Sequence, residues 1–318
     1  VPPAAEVIPD MQRFSDGARV VFIGDSITAA NNFVARVFDY YRTELASAHV
    51  TFKNSGVSGG STRSALDYLE PDVFPFEPTD AVIMLGVNDS NRTLLEQPDS
   101  AERRAGLDRA YDTYRIKFRE LCDKLTERGI KLTLCTPAPY AEFLSTGQPP
   151  LVGGHALILR YAEYVRALAR ELGCGLVDYH ARMSELYLDE PLYNADHVHP
   201  NDLGHARMAE CLLAAQGLTP RELVLGQQPE PISPELAGWR EATAKIRTIY
   251  AVEWMIVKNY ALPDADKLAL VRDYVDGKKW GDFLYFEGIS KAYLVDKRNE
   301  RQIVEYIDRE AERLANNM

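Results

Sequence analysis

The sequence has no apolar run approaching the ~20 residues that a membrane-spanning helix needs, which excludes a helical membrane span. It carries only four cysteines, Cys122, Cys135, Cys174 and Cys211. They form no C-x-x-C pair and no metal-ligand spacing, so neither a disulfide scaffold nor a thiolate zinc site is expected. Cys135 and Cys174 sit in apolar stretches and read as small core hydrophobes. Positive charge is also scarce: 36 Lys and Arg face 47 Asp and Glu, a net charge of -11. Such a surface repels phosphate backbones, which argues against nucleic acid and against an anionic membrane surface as partners. Internal repeats and low-complexity tracts are missing too. What remains, with 46% apolar and 26% charged residues in 318, is a globular composition with ample chain for a core. The opening Val1-Pro2-Pro3-Ala4-Ala5-Glu6 reads as a mature end left by signal cleavage or as a trimmed start. The extracytoplasmic reading is favoured, with a cytoplasmic one left open.

Short apolar runs alternate with helical patterns five times. Strands are expected at 19–25, 49–54, 80–85, 130–136 and 175–178. Helices are expected at about 31–47, 101–128, 155–172 and 202–216. The strand segments are continuously apolar, as in parallel sheets covered on both faces. The expected fold is therefore α/β, and ligands in such sheets bind at the carboxyl ends of the strands. An irregular segment precedes this domain over 1–18, and the domain itself runs from 19 to 217. A Pro-rich linker follows over 218–234, with Pro220, Pro229, Pro231 and Pro234. The last stretch, 235–318, carries helical spacing at Trp239, Ile246, Tyr250 and Trp254. It reads as a helical extension packed on the core or across a homodimer.

Four segments could carry chemistry. Ser26, in Gly24-Asp25-Ser26-Ile27-Thr28, follows the first strand and could present its hydroxyl at the sheet edge; taken alone, a helix cap is the simpler reading. In Asn194-Ala195-Asp196-His197-Val198-His199-Pro200, Asp196 and His199 can supply a base and the acceptor that orients it. The same loop has a competing reading as a metal site through His197, His199 and Asp196, but a further ligand cluster is missing from the sequence. Asn88, after the third strand, can donate an amide N–H into a pocket. Gly56 to Gly60, after the second strand, can expose backbone N–H groups to an oxyanion.

Together, in this order, these segments resemble the SGNH (GDSL-type) hydrolases, named for Ser, Gly, Asn and His in four blocks. The matching residues are Ser26, Gly59, Asn88, and Asp196 with His199, and the resemblance spans roughly 19 to 216. It implies a three-layer flavodoxin-like fold with a five-stranded parallel sheet, and a triad whose Asp and His lie three residues apart. The implied activity is that of a serine esterase working through an acyl-enzyme without a cofactor. Ser26, Asp196 and His199 are then catalytic, with Ser26, Gly59 and Asn88 forming the oxyanion hole. The substrate expected is a small-molecule or glycan ester, with removal of acetyl groups from carbohydrates foremost. A lipolytic acylhydrolase or lysophospholipase, and a non-catalytic glycan-binding protein, are the alternatives. Two features depart from the family pattern: Ala29-Ala30-Asn31 stand where many relatives have a glycine, and the C-terminal extension lies outside the family core. A rival nucleophile is Ser58, because Gly56-Val57-Ser58-Gly59-Gly60 fits the G-x-S-x-G elbow. That reading leaves Ser26 and Asn88 unexplained.

Overall fold

The computed structural model describes residues 12–30, 32–45 and 48–218. The linker and helical extension expected beyond residue 218, and the start of the irregular N-terminal segment, lie outside the described residues.

Five strands form one parallel sheet: β1 (Arg19–Gly24), β2 (Thr51–Gly56), β3 (Asp80–Met84), β4 (Lys131–Cys135) and β5 (Gly175–Val177), in the spatial order β2-β1-β3-β4-β5. Among the described residues, seven α-helices connect and flank them: α1 (Ser26–Ala29), α2 (Asn32–Glu44), α3 (Thr62–Asp67), α4 (Ala101–Thr126), α5 (Gly154–Leu172), α6 (Tyr179–Leu186) and α7 (Asp202–Ala215). The apolar runs become strands because each has two faces to cover. Val20 and Phe22 enter a core with residues of α2, α6 and α7, while Val21 and Ile23 enter another with residues of α3, α4 and α5. The result is the expected three-layer α/β/α arrangement, with the flavodoxin-like strand order.

Most expected elements appear within one to three residues of their anticipated ends. Both ends of β2 are displaced in the same direction, so that it runs two residues later than the expected 49–54. His49 has φ 47, outside extended geometry, so the strand cannot start there. Two short helices escaped the periodicity reading. Ser61 caps α3 through a reciprocal capping box with Ser64, and Asp178 caps α6 by accepting from Ala181 N–H. Among the described residues, no helix is long and apolar enough to cross a membrane.

The chain winds in opposite directions from β1, to β2 on one side and β3 on the other. The crevice outside the carboxyl ends of β1 and β3 is thus the topological switch point, where such sheets bind ligands. Ser26 follows β1 and Asn88 follows β3 at this crevice.

Candidate active site

Close packing fixes the first turn after β1. Asp25 caps α1, its Oδ1 accepting from Ile27 N–H at 3.0 Å. Asn54, inside β2, donates from Nδ2 to the Thr28 carbonyl at 2.7 Å and accepts from Gly56 N–H at 2.8 Å. A Cβ on Gly56 would lie 2.4 Å from the Ala29 nitrogen and 2.8 Å from the Thr28 carbonyl carbon, so only glycine lets the end of β2 touch α1. The half-buried Ser26 at the start of α1 is therefore set on a rigid seat.

The Asp196–His199 loop approaches Ser26 from the segment before α7. It is closed by an antiparallel bridge between Tyr193 and Pro200 and by Asn194 N–H donating to the His199 carbonyl at 2.9 Å. Asp196 Oδ1 accepts from the backbone N–H groups of Val198 and His199 at 3.0 and 2.9 Å. Its other oxygen meets His199 Nδ1 at 2.5 Å, and His199 Nε2 lies 2.8 Å from Ser26 Oγ. This explains the three-residue spacing, since one carboxylate can hold both the backbone and the ring of a residue three positions on only in a tight turn. Partial burial pushes Asp196 upward, but the hydrogen bonds from the His199 backbone and ring and from Val198 outweigh it. The carboxyl is held below its ordinary value and stays ionised.

The Gly and Asn segments meet beside Ser26. Val57 N–H donates to the Gly24 carbonyl at 3.0 Å, and Gly60 N–H to the Val57 carbonyl at 2.8 Å. A Cβ on Gly60 would lie 3.0 Å from the Gly24 carbonyl oxygen and 3.4 Å from the Asp25 Cα, so this loop rests on the residues just before Ser26. Asn88 donates one amide hydrogen to the Gly60 carbonyl at 2.9 Å. A second amide hydrogen remains. Among the described residues, the backbone N–H groups of Ser26 and Gly59 donate to no other group. Gly59 itself has φ +74 with open space where a Cβ would stand.

The rival readings separate here. Ser58 is exposed and its hydroxyl makes no hydrogen bond among the described residues, whereas the Ser26 hydroxyl meets His199 Nε2. His197 is buried with φ 61, and its ring is engaged elsewhere. Nδ1 lies 2.9 Å from the Ala141 carbonyl, and Nε2 lies 2.9 Å from both the Gln148 carbonyl and Thr146 Oγ1. It ties the 141–148 loop to the Asp196–His199 loop, and among the described residues no group of three or more His, Cys, Asp or Glu is placed to hold a metal ion.

Two residues beside the site were not singled out from sequence. Asp25 is buried, and desolvation raises its pKa to about 6; the hydrogen bond from Ile27 and the field of His199 oppose this, while the field of Asp89 adds to it. Asp89, next to Asn88, accepts from Thr62 N–H at 3.0 Å and from Thr62 Oγ1 at 2.5 Å, and burial raises its pKa despite those bonds. The signal for Asp25 was its position between a buried strand and a helix start, where an acid caps the helix at the expense of solvation.

A serine hydroxyl joined to a histidine and a carboxylate at the carboxyl edge of a parallel sheet marks the class of serine hydrolases with a doubly wound fold. The chain belongs to the GDSL-like lipase/acylhydrolase family, whose model matches residues 22–207, and it is a carboxylic ester hydrolase. It is 28% identical over 224 residues to a Geobacillus stearothermophilus protein named acetylxylan esterase, covering 64% of this chain and 96% of that one. A second acetylxylan esterase, from Xylanibacter ruminicola, is 26% identical over 63% of this chain but only 43% of its own length. Among solved structures, one described as a gut microbial diltiazem-metabolizing enzyme shares the fold at a TM-score of 0.70, with 15% identity over 97% of this chain and 96% of that one. An acetyl xylan esterase structure from Geobacillus stearothermophilus shares it at 0.55, with 24% identity over 65% of this chain and 98% of that one.

Proposed function

We propose that the protein removes acetyl groups from a carbohydrate, with Ser26 as nucleophile, His199 as general base and Asp196 as the carboxylate that orients it. The observation that carries this reading is the unbroken chain of contacts from Asp196 through His199 to Ser26 Oγ, at 2.5 and 2.8 Å. His199 takes the hydroxyl proton as Ser26 Oγ attacks the ester carbonyl, and returns it to the departing alcohol. Asp196 keeps the proton-bearing nitrogen turned toward itself and stabilises the imidazolium. The oxyanion is met by the N–H groups of Ser26 and Gly59 and by the remaining amide hydrogen of Asn88. Donors already in place are worth more than water, because they need no reorganisation as the charge forms. Water activated by the same histidine then releases acetate from the acyl-enzyme. Each proton passes through His199, from Ser26 to the departing alcohol and then from water back to Ser26, so activity is expected to survive exhaustive chelation.

Acetyl as the acyl group and carbohydrate as the alcohol are supported by the relatives named acetylxylan esterase. The test is acetate release from acetylated xylo-oligosaccharides, set against 4-nitrophenyl esters of rising chain length. The reading predicts turnover of the oligosaccharides, a fall in rate beyond the shortest acyl chains, and no turnover by Ser26→Ala. A preference for long acyl chains would replace it with the lipolytic alternative. Activity retained by Ser26→Ala but lost in Ser58→Ala would move the nucleophile.

A further inference from the structure

A groove of about 510 Å³ opens beside Asn88 and Asp89, lined along one side by one face of α4. It shares Asn88 with the reacting site, although Ser26 and His199 do not line it. Its volume falls within the roughly 300–1,000 Å³ of small-molecule sites. An acetyl group is far too small to occupy it, so the only part of an acetyl ester that could fill it is the alcohol half. Arg63 from α3 and Arg103 and Arg109 from α4 line it, with Asn91, Gln97 and Glu102.

The state of these arginines is unusual for this protein. Elsewhere most guanidinium groups have partners: Arg104 meets Asp99, Arg119 Glu171, Arg160 Asp108, Arg166 Asp178 and Arg207 Glu190, while Arg19 and Arg92 donate to the main-chain carbonyls of Phe76 and Val87. The side chains of Arg63 and Arg109 make no hydrogen bond or ion pair among the described residues. Arg103 is held by the Gln97 carbonyl at 2.8 Å, and its Nε is enclosed without a partner. The groove's two carboxyls, the half-buried Asp89, which is turned to Thr62, and Glu102, are outnumbered by its three guanidiniums. The groove is thus locally cationic on a protein whose net charge is -11.

We propose that this groove binds the alcohol half of the ester and selects a carbohydrate bearing an oxyanion, with a uronic-acid carboxylate as the group Arg63 and Arg109 meet. The inference rests on the assignment of Ser26 and Asn88 to the reacting site. A guanidinium offers two parallel N–H donors that match a carboxylate. The flanking Asn91 and Gln97 supply neutral donors and acceptors suited to sugar hydroxyls. A phosphate or sulfate on the sugar presents the same chemistry, and the experiment separates them.

The primary measurement is kcat/KM for a monoacetylated methyl glucuronoside against the same compound as its uncharged carboxamide. A preference of about ten-fold for the acid is expected, in line with a charge-assisted pair, and it should shrink with added salt. The double variant Arg63→Gln/Arg109→Gln should abolish the preference. Arg104→Gln, on the same helix but outside the groove lining, should keep it. Both groove arginines are exposed, so these variants should fold, and the denaturation midpoint confirms that they do. Calorimetric binding of methyl glucuronoside, its carboxamide, and the sugar phosphate and sulfate to Ser26→Ala protein reads the groove without turnover. Acid binding there without acetate release by the parent would sink the acetyl-ester reading and keep the groove. Equal kcat/KM for acid and carboxamide, a preference unchanged in the double variant, or tighter binding of the phosphate or sulfate than of the uronate would overturn the uronate assignment.

Discussion

Replacing Asp25 with Asn tests whether the seat of the nucleophile carries an electrostatic cost. Asn caps a helix as well as Asp does, so the contact to Ile27 N–H is kept while the charge is removed. Burial raises the Asp25 pKa from 3.8 to about 6. The folded protein therefore holds this proton through a range of pH in which the unfolded chain has released it. Stability linked to the group is fully present below pH 3.8, falls between 3.8 and about 6, and is lost above. At ~1.4 kcal/mol per pH unit the loss is about 3 kcal/mol near neutrality. Asp25→Asn should accordingly be more stable than the parent at pH 7 by up to about 3 kcal/mol, with the difference shrinking toward zero near pH 4. Urea denaturation of both proteins at pH 4, 5, 6 and 7 measures it. A constant difference across that range, or a variant less stable at pH 7, would refute the reasoning.

Gly56→Ala should destabilise the protein by about 1–3 kcal/mol or more, because the new methyl would meet backbone atoms of Thr28 and Ala29 that cannot yield; a lowered denaturation midpoint with reduced kcat would show it. Asn88→Ala should lower kcat by roughly 10²–10³-fold, with a smaller effect on KM, since it removes both a donor and the anchor on the Gly60 carbonyl. Steady-state kinetics with 4-nitrophenyl acetate measures this, and an unchanged kcat would remove Asn88 from the oxyanion site.

Much of this architecture was legible because its causes are local. A strand covered on both faces must be apolar throughout, and Val20 through Ile23 are. The candidate site was legible as a combination: Ser26, Asp196 and His199 are ordinary residues singly, and the fold brings them together through a loop turn in which Asp196 meets both the backbone and the ring of His199. Where the reading fell short, tertiary contacts decided. The start of β2 was misplaced because His49 takes a positive φ that residue type does not announce. The short helices α3 and α6 span too few residues for a periodic signal, though their caps, Ser61 and Asp178, were visible. The sequence holds no further ligand cluster for a metal site at His197; where its ring does go, to the Ala141 and Gln148 carbonyls and Thr146, no pattern of residue types announces. The cationic groove draws its arginines from α3 and α4, far apart in sequence, and only the fold brings them together.

The central claim is that Ser26 is the nucleophile activated by His199. Its most direct measurement is labelling with a fluorophosphonate, read by intact mass and by peptide mapping. The account predicts one adduct, located on the peptide containing Ser26, absent from Ser26→Ala and strongly slowed in His199→Ala. An adduct on Ser58, or labelling of Ser26 at the parent rate without His199, would contradict it.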